Sequence, residues 1–218
     1  MSWDTPVNSP WWGGVLQPVR TGPTVHDQED RDMHEQAIRV RPAEPADHPA
    51  IRDILRTAYR QYTRDIPPAV WGPYLADLLD LDRHAHHGQL LVAVVDEAIV
   101  GYAAFYPDAS VQGFGWPAGW AGGRGLAVDP AFRGHGVAMT LLTALEDRAR
   151  AAGAVVFAFH TSAFMTTAVA LYERLGYCRA PRFDVDVNAH YGVPAARPWP
   201  ALAYLRRLTA RPAARNAA

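Results

Sequence analysis

The residues best equipped for chemistry are Arg133-Gly134-His135-Gly136, set between a short apolar run ending at Val128 and a helical stripe beginning at Val137. Asp129-Pro130 turns the chain between the two. Apolar positions at Val137, Leu141, Leu142, Leu145 and Ala149 predict a helix with one buried face. Glycines at its start let the backbone approach a ligand closely and leave amide N–H groups aimed outward. The helix dipole adds partial positive charge at that end, so a phosphate or pyrophosphate is the natural guest. A Walker loop is excluded, because the chain contains no lysine. A dinucleotide fingerprint fails as well. Met139 stands where its third glycine belongs, and five residues separate Val128 from Gly134.

The elements that must hold this loop can be read on either side of it. Ile38-Arg39-Val40-Arg41 alternates as a first strand, and Asp47 is a plausible cap for a helix carrying Ile51, Ile54, Leu55 and Ala58 to about Tyr62. Pro67-Pro68 breaks it. A second helix is expected from about Val70 to Leu81, then strands at Leu90–Val95 and Ile99–Tyr106 around a hairpin link at Asp96-Glu97-Ala98. The segment from Pro107 to Trp120 reads as loop or strand edge, and Arg124–Val128 as the strand feeding the phosphate loop. Gly153 ends the long helix, and Val155–His160 has the composition of a fully buried strand. Strand, helix, strand over this span implies a right-handed crossover between parallel strands. Thr166 or Thr167 caps the next helix, whose face is Ala168, Leu171, Tyr172 and Leu175; Tyr177–Arg179 and Ala201–Leu208 are the last strands.

Composition narrows the class. A chain of 218 residues suits one α/β domain over 37–208, with an N-terminal extension over 1–36 and a tail over 209–218. The extension holds Trp3, Trp11, Trp12 and an acidic run; it reads as a flexible tail, or as a segment whose Trp11-Trp12 pair docks on protein. A net charge of −1 argues against a general nucleic-acid or membrane-surface binder, and all 21 basic residues are arginine. Cys178 is the one cysteine, expected to pack in its strand, so a reducing cytoplasm is the default compartment. No signal pattern and no apolar run of membrane-spanning length is seen. His84-x-His86-His87 invites a metal reading, but no carboxylate or thiol is tied to it by spacing, and no metal is expected.

Two features occur together: Leu-Ala-Val-Asp-Pro-x-x-Arg-Gly-x-Gly-x-Ala from Leu126, and Ala170-Leu171-Tyr172-Glu173-Arg174-Leu175-Gly176-Tyr177. The pair resembles the GCN5-related N-acetyltransferases, in particular the bacterial small-molecule or protein Nα branch. The resemblance spans about 38–208. It implies an α/β fold in which helices flank a mixed, twisted sheet with splayed central parallel strands, acetyl-CoA lying in the wedge. It further implies backbone pairing of Leu126 and Val128 with pantetheine. Amides of Arg133, Gly134, His135, Gly136, Val137, Ala138 and Met139 would hold the pyrophosphate.

The activity so implied is acetyl transfer to a primary amine of a small molecule or peptide. A non-catalytic acyl-CoA-binding module and a toxin acting on aminoacyl-tRNA are the rival readings. Neither nucleic acid nor membrane is expected as a partner; a homodimer is left open. Tyr172 matches the family's tyrosine acid, a role suited to a phenol that stays protonated at neutral pH. His160 occupies a strand end where some members place a base, and a histidine there could accept a proton. Asp108, Glu97 or a relayed water are the other bases considered. Met165 departs from the pattern, standing where an asparagine is often found. Tyr59, Tyr62, Trp71, Trp116 and Trp120 are candidates to line the acceptor pocket. Arg124 either binds an acidic substrate group or sits paired on the sheet.

Overall fold

A computed structural model describes residues 38–194 and 199–209. The expectations for 1–36, including docking of Trp11-Trp12, and for the tail beyond Thr209 lie outside the described residues.

Strands β1 (Arg39–Pro42), β2 (Gln89–Val95), β3 (Ala98–Tyr106) and β4 (Ala121–Val128) form an antiparallel run. Strand β5 (Val156–Thr161) joins β4 in parallel, and β8 (Pro200–Arg207) lies antiparallel to β5. The short strands β6 (Cys178–Arg179) and β7 (Val185–Asp186) pair with β8. Helices α1 (His48–Arg60), α2 (Pro68–Leu79) and α3 (Leu81–His87) precede β2; α4 (Val137–Ala151), α5 (Thr166–Arg174) and α6 (Val187–His190) follow β4.

The unbroken apolar run of β2 has a direct cause. Leu90, Val92 and Val94 pack with Ile51, Ile54 and Leu55 of α1. Leu91, Ala93 and Val95 pack with Leu141, Leu142 and Leu145 of α4. Both faces are covered, so no position is left for a polar side chain. Each buried Leu or Val on the α4 stripe contributes about 1.5–3 kcal/mol of transfer free energy. The link between β2 and β3 is a two-residue turn, with Asp96 and Glu97 both at positive φ (46° and 65°). Such left-handed residues match the twist of the flanking strands.

Two features of β4 open the site. Its parallel ladder with β5 extends only over Ala121↔Phe157 and Gly122↔Ala158. Beyond Gly122 the two strands no longer pair, the splay that the resemblance implies. The register with β3 slips between Ala104↔Arg124 and Tyr102↔Ala127, a bulge accommodated by Gly125 at φ +66°. The helix α4 ends as expected, with Gly153 at φ +77° and the Ala154 N–H donating to Ala149 O at 2.9 Å.

Some boundaries differ from those read in the sequence. The second helix begins at Pro68 and stops at Leu79; Asp80 then accepts from the Arg83 N–H (3.2 Å) and starts α3. His84, His86 and His87 therefore lie on a helix. Seven residues are too few for a periodic signal to emerge. Asp47 stands at the start of α1, but its carboxylate pairs with Arg41 (2.6 and 3.0 Å) and the Glu44 N–H (2.7 Å) instead of capping the helix. Cys178 is exposed at the sheet margin, not packed within it.

Candidate active site

The turn before α4 is a cluster of unspent donors. Gly134 and Gly136 both take left-handed φ (86° and 85°), and the cap position, Gly136, makes no side-chain hydrogen bond. No N–H from Gly134 to Met139 finds an acceptor among the described residues; the helical ladder begins with the Thr140 N–H to Gly136 O at 3.0 Å. Six consecutive free amides at the positive end of a helix form an anion cradle. The Arg133 guanidinium stands exposed beside it, 3.4 Å from Gln61 Oε1.

The neighbouring strand edge is open too. The Asp129 N–H donates to Val100 O (2.9 Å), so the alternation of an antiparallel ladder turns the N–H and C=O of Val128 away from β3 and into the splay. Leu126 lies within the bulge and has no partner residue in the register with β3. The strand thus presents backbone donors and acceptors to whatever fills the wedge.

A cavity of about 900 Å³ runs from the cradle through the splay. Its lining unites thirteen of the residues singled out from the sequence. These are Arg133, Gly134, Gly136, Val137, Ala138 and Met139 at one end, Leu126 and Val128 along the strand, and Tyr59, Tyr62, Arg124, His160 and Tyr172 at the other. The His135 side chain is not part of the lining, so that residue can contribute only its amide.

Tyr172 is buried against Phe159 (ring centroids 4.3 Å apart), and its hydroxyl has no hydrogen-bond partner among the described residues. Burial pushes its pKa well above that of a free phenol, so it holds its proton throughout the neutral range. His160 is fixed by its neighbours. One ring nitrogen, Nε2, lies 2.8 Å from Phe183 O. A carbonyl only accepts, so Nε2 carries the hydrogen and Nδ1 keeps a free lone pair. Burial lowers the His160 pKa, which keeps the ring neutral at pH 7.

Several expected residues are elsewhere. Trp116 packs behind His160 (4.4 Å) with Trp120 (6.2 Å) and Phe183 (5.4 Å), in an apolar cluster with Val156 and Ala203. Trp71 joins Ile66, Val70 and Val187. In each case burial of a large ring against neighbours outweighs exposure to the cavity, so none of the three tryptophans lines it. Asp108 caps the Ser110 N–H (3.0 Å), and Glu97 is paired with Arg39 at the β2–β3 turn (3.1 Å); neither reaches the cavity. His84 turns inward, with Nδ1 2.6 Å from Tyr106 Oη and Nε2 2.8 Å from Asp77 O, so both ring nitrogens are engaged. Met165 is buried at the cavity wall.

Arg124 resolves toward pairing: it meets the Asp77 carboxylate, which Arg83 also grips, and donates to Tyr191 Oη at 3.2 Å. Residues the sequence did not point to complete this end, chiefly Gln112, Phe114, Tyr191 and Trp199. Tyr191 and Trp199 come from the connection between β7 and β8, where no local pattern marks them.

The described residues contain no helix long and apolar enough to cross a membrane. The Acetyltransferase (GNAT) family matches residues 49–177, and the chain belongs to that family. Acetyl-CoA is the family's co-substrate. The uncharacterized N-acetyltransferase YdgE of Bacillus subtilis (strain 168) is 49% identical over 47 residues. That match spans 22% of this chain and only 30% of the relative. A crystal structure described as histone acetyltransferase HPA2 and related acetyltransferase, from Corynebacterium glutamicum, aligns at 26% identity and a TM-score of 0.56. It covers 79% of this chain and 97% of that one. The yncA protein of Salmonella typhimurium, solved with its cofactor acetyl-CoA, shares the fold at 23% identity and a TM-score of 0.54, over 81% and 97% of the two chains.

Proposed function

We propose that this chain transfers an acetyl group from acetyl-CoA to a primary amine of a small molecule or peptide, by direct attack while both substrates are bound. The observation that carries the reading is continuity: one cavity leads from the free amides at the start of α4 to the unpartnered hydroxyl of Tyr172. Amides of residues 134–139 suit a pyrophosphate, Arg133 adds a cation, and the open edge at Leu126 and Val128 suits the amides of pantetheine. Bound acetyl-CoA supplies an activated thioester. As the amine attacks, the carbonyl oxygen gains negative charge, and the Val128 N–H is the candidate to stabilise it. The new C–N bond forms, the C–S bond breaks, and the sulfur takes the proton of Tyr172. The amine's own proton leaves through His160 Nδ1 or water. A single thiol, with no intramolecular disulfide to form, supports a reducing, cytoplasmic setting.

The test is calorimetric titration of the purified chain with acetyl-CoA, followed by thiol release against an amine panel. Tight binding with turnover is expected. Binding without turnover on any amine would turn the reading to a regulatory acyl-CoA module.

A further inference from the structure

The acceptor end of the cavity has a chemistry of its own. Among the described residues, no aspartate or glutamate lines any part of it. Its walls are aromatic: Tyr74 stands 5.9 Å from Tyr59, 6.2 Å from Tyr191 and 6.1 Å from Trp199, ring centroid to ring centroid. Two buried donors there have no hydrogen-bond partner, Arg124 Nε and Gln112 Nε2. They share one face of β4. Arg124 is two residues beyond Gly122, and a β-carbon on Gly122 would point at Gln112 Nε2, 2.8 Å away. The opposite face, marked by Gly123, is directed at Phe157 and Leu145. Arg124 is also charge-compensated, because Asp77 lies against its guanidinium and takes a 2.7 Å hydrogen bond from the Tyr191 hydroxyl.

We propose that the acceptor is an α-amino carbonyl compound with an apolar or aromatic side chain: an amino-acid amide, an ester or a peptide N-terminus. Its carbonyl oxygen accepts from Arg124 Nε and Gln112 Nε2, and its side chain lies among the tyrosines and Trp199. This rests on the acetyltransferase reading and narrows its substrate. A free carboxylate is disfavoured because Arg124 and Arg83 are already balanced by Asp77 and Asp80, which leaves no uncompensated cation for a further anion. Polyamines and aminosugars are disfavoured because no carboxylate in the lining balances their extra charges. The missing carboxylate also leaves no strong base at hand. An α-amino group, with a pKa of about 8, gives up its proton far more readily than a lysine amine at about 10.4. In the transfer the protonated amine loses two protons, one of them balanced by the proton that CoA sulfur gains, so one is released overall.

The experiment compares kcat/KM of the full chain with acetyl-CoA for phenylalanine amide, a phenylalanyl dipeptide, free phenylalanine, phenethylamine, spermidine and Nα-acetyl-lysine amide. The amide or dipeptide should exceed phenethylamine, which lacks the whole carboxamide, by ~10-fold or more, the worth of about one hydrogen bond. Which of the two leads tells small amides from peptide N-termini. The Gln112→Leu variant should shrink that amide-to-phenethylamine ratio by a similar factor. Preference for spermidine, the lysine derivative or free phenylalanine overturns this inference while leaving acetyl transfer intact, and an unchanged ratio in the variant overturns the carbonyl contact. Failure of acetyl-CoA to bind overturns the transferase reading and this inference with it.

Discussion

Gln112 Nε2 lies 2.8 Å from the point where a β-carbon would stand on Gly122, the residue at which β4 and β5 last pair. The amide of Gln112 is thus lodged at the apex of the splay, over a strand position that only glycine leaves clear. The same β-carbon would also stand 2.8 Å from Ala109 Cβ, which has no freedom to retreat. Gly122→Ala is therefore expected to destabilise the fold by about 1–3 kcal/mol, the usual cost of overpacking. Urea unfolding of the two proteins measures it; an unaltered midpoint would mean that the apex is loosely packed.

Tyr172→Phe removes an oxygen that bonds to nothing among the described residues, so no hydrogen bond is lost on mutation. Stability should hold within about 0.5 kcal/mol, as for changes that break no named interaction. If the phenol protonates the leaving thiolate, kcat falls by about 10²-fold or more. The acetyl-CoA Kd should stay where it was. Near-normal turnover would reduce Tyr172 to a wall of the cavity.

The parts of this site that the sequence declares are those built from contiguous residues. The cradle from Arg133 to Met139 needs glycine at left-handed φ and an amphipathic helix behind it, and both are local signals. The parallel β4–β5 pairing follows from strand–helix–strand connectivity. The acceptor end is different. Asp77, Gln112 and the pair Tyr191 and Trp199 come from three separate segments, and nothing in their local sequence distinguishes them from core or loop residues. Trp116 and Trp120 show the converse. The resemblance places their loop beside the acceptor cleft, whereas contacts with Phe183 and His160 hold them behind the cavity wall.

Gly136→Ala tests the cradle. A β-carbon there meets nothing closer than Met139 Cε at 4.0 Å, so the penalty is conformational and comes from φ +85°. Holding alanine in that region costs roughly 1–2 kcal/mol, and the turn that aims the amides should relax instead. Acetyl-CoA affinity should weaken by ~10-fold, the equivalent of 1.4 kcal/mol. Gly153→Ala is the control, since it imposes similar strain (φ +77°, no neighbour within 4 Å) at the other end of the same helix. Equal losses of affinity in the two variants would show that the effect is one of global stability and not of the cradle.

His84 gives the fold a pH dependence whose sign can be worked out. Burial lowers its pKa from 6.5 to about 4, and the neutral ring is held by Tyr106 and the Asp77 carbonyl. In the unfolded chain it titrates at 6.5, so between pH 6.5 and 4 the unfolded state binds the extra proton. Its contribution is therefore constant above pH 6.5 and is lost as pH falls toward 4. From pH 7 to pH 5 the loss amounts to about 2 kcal/mol. His160 and His190 are shifted in the same direction by burial, so the wild-type curve alone does not isolate His84. Comparison with His84→Gln does, because the other two histidines remain in both proteins. The variant, less stable at pH 7, should lose about 2 kcal/mol less than the wild type on acidification to pH 5. Parallel stability curves over that range would mean that His84 is free to take up its proton in the folded protein.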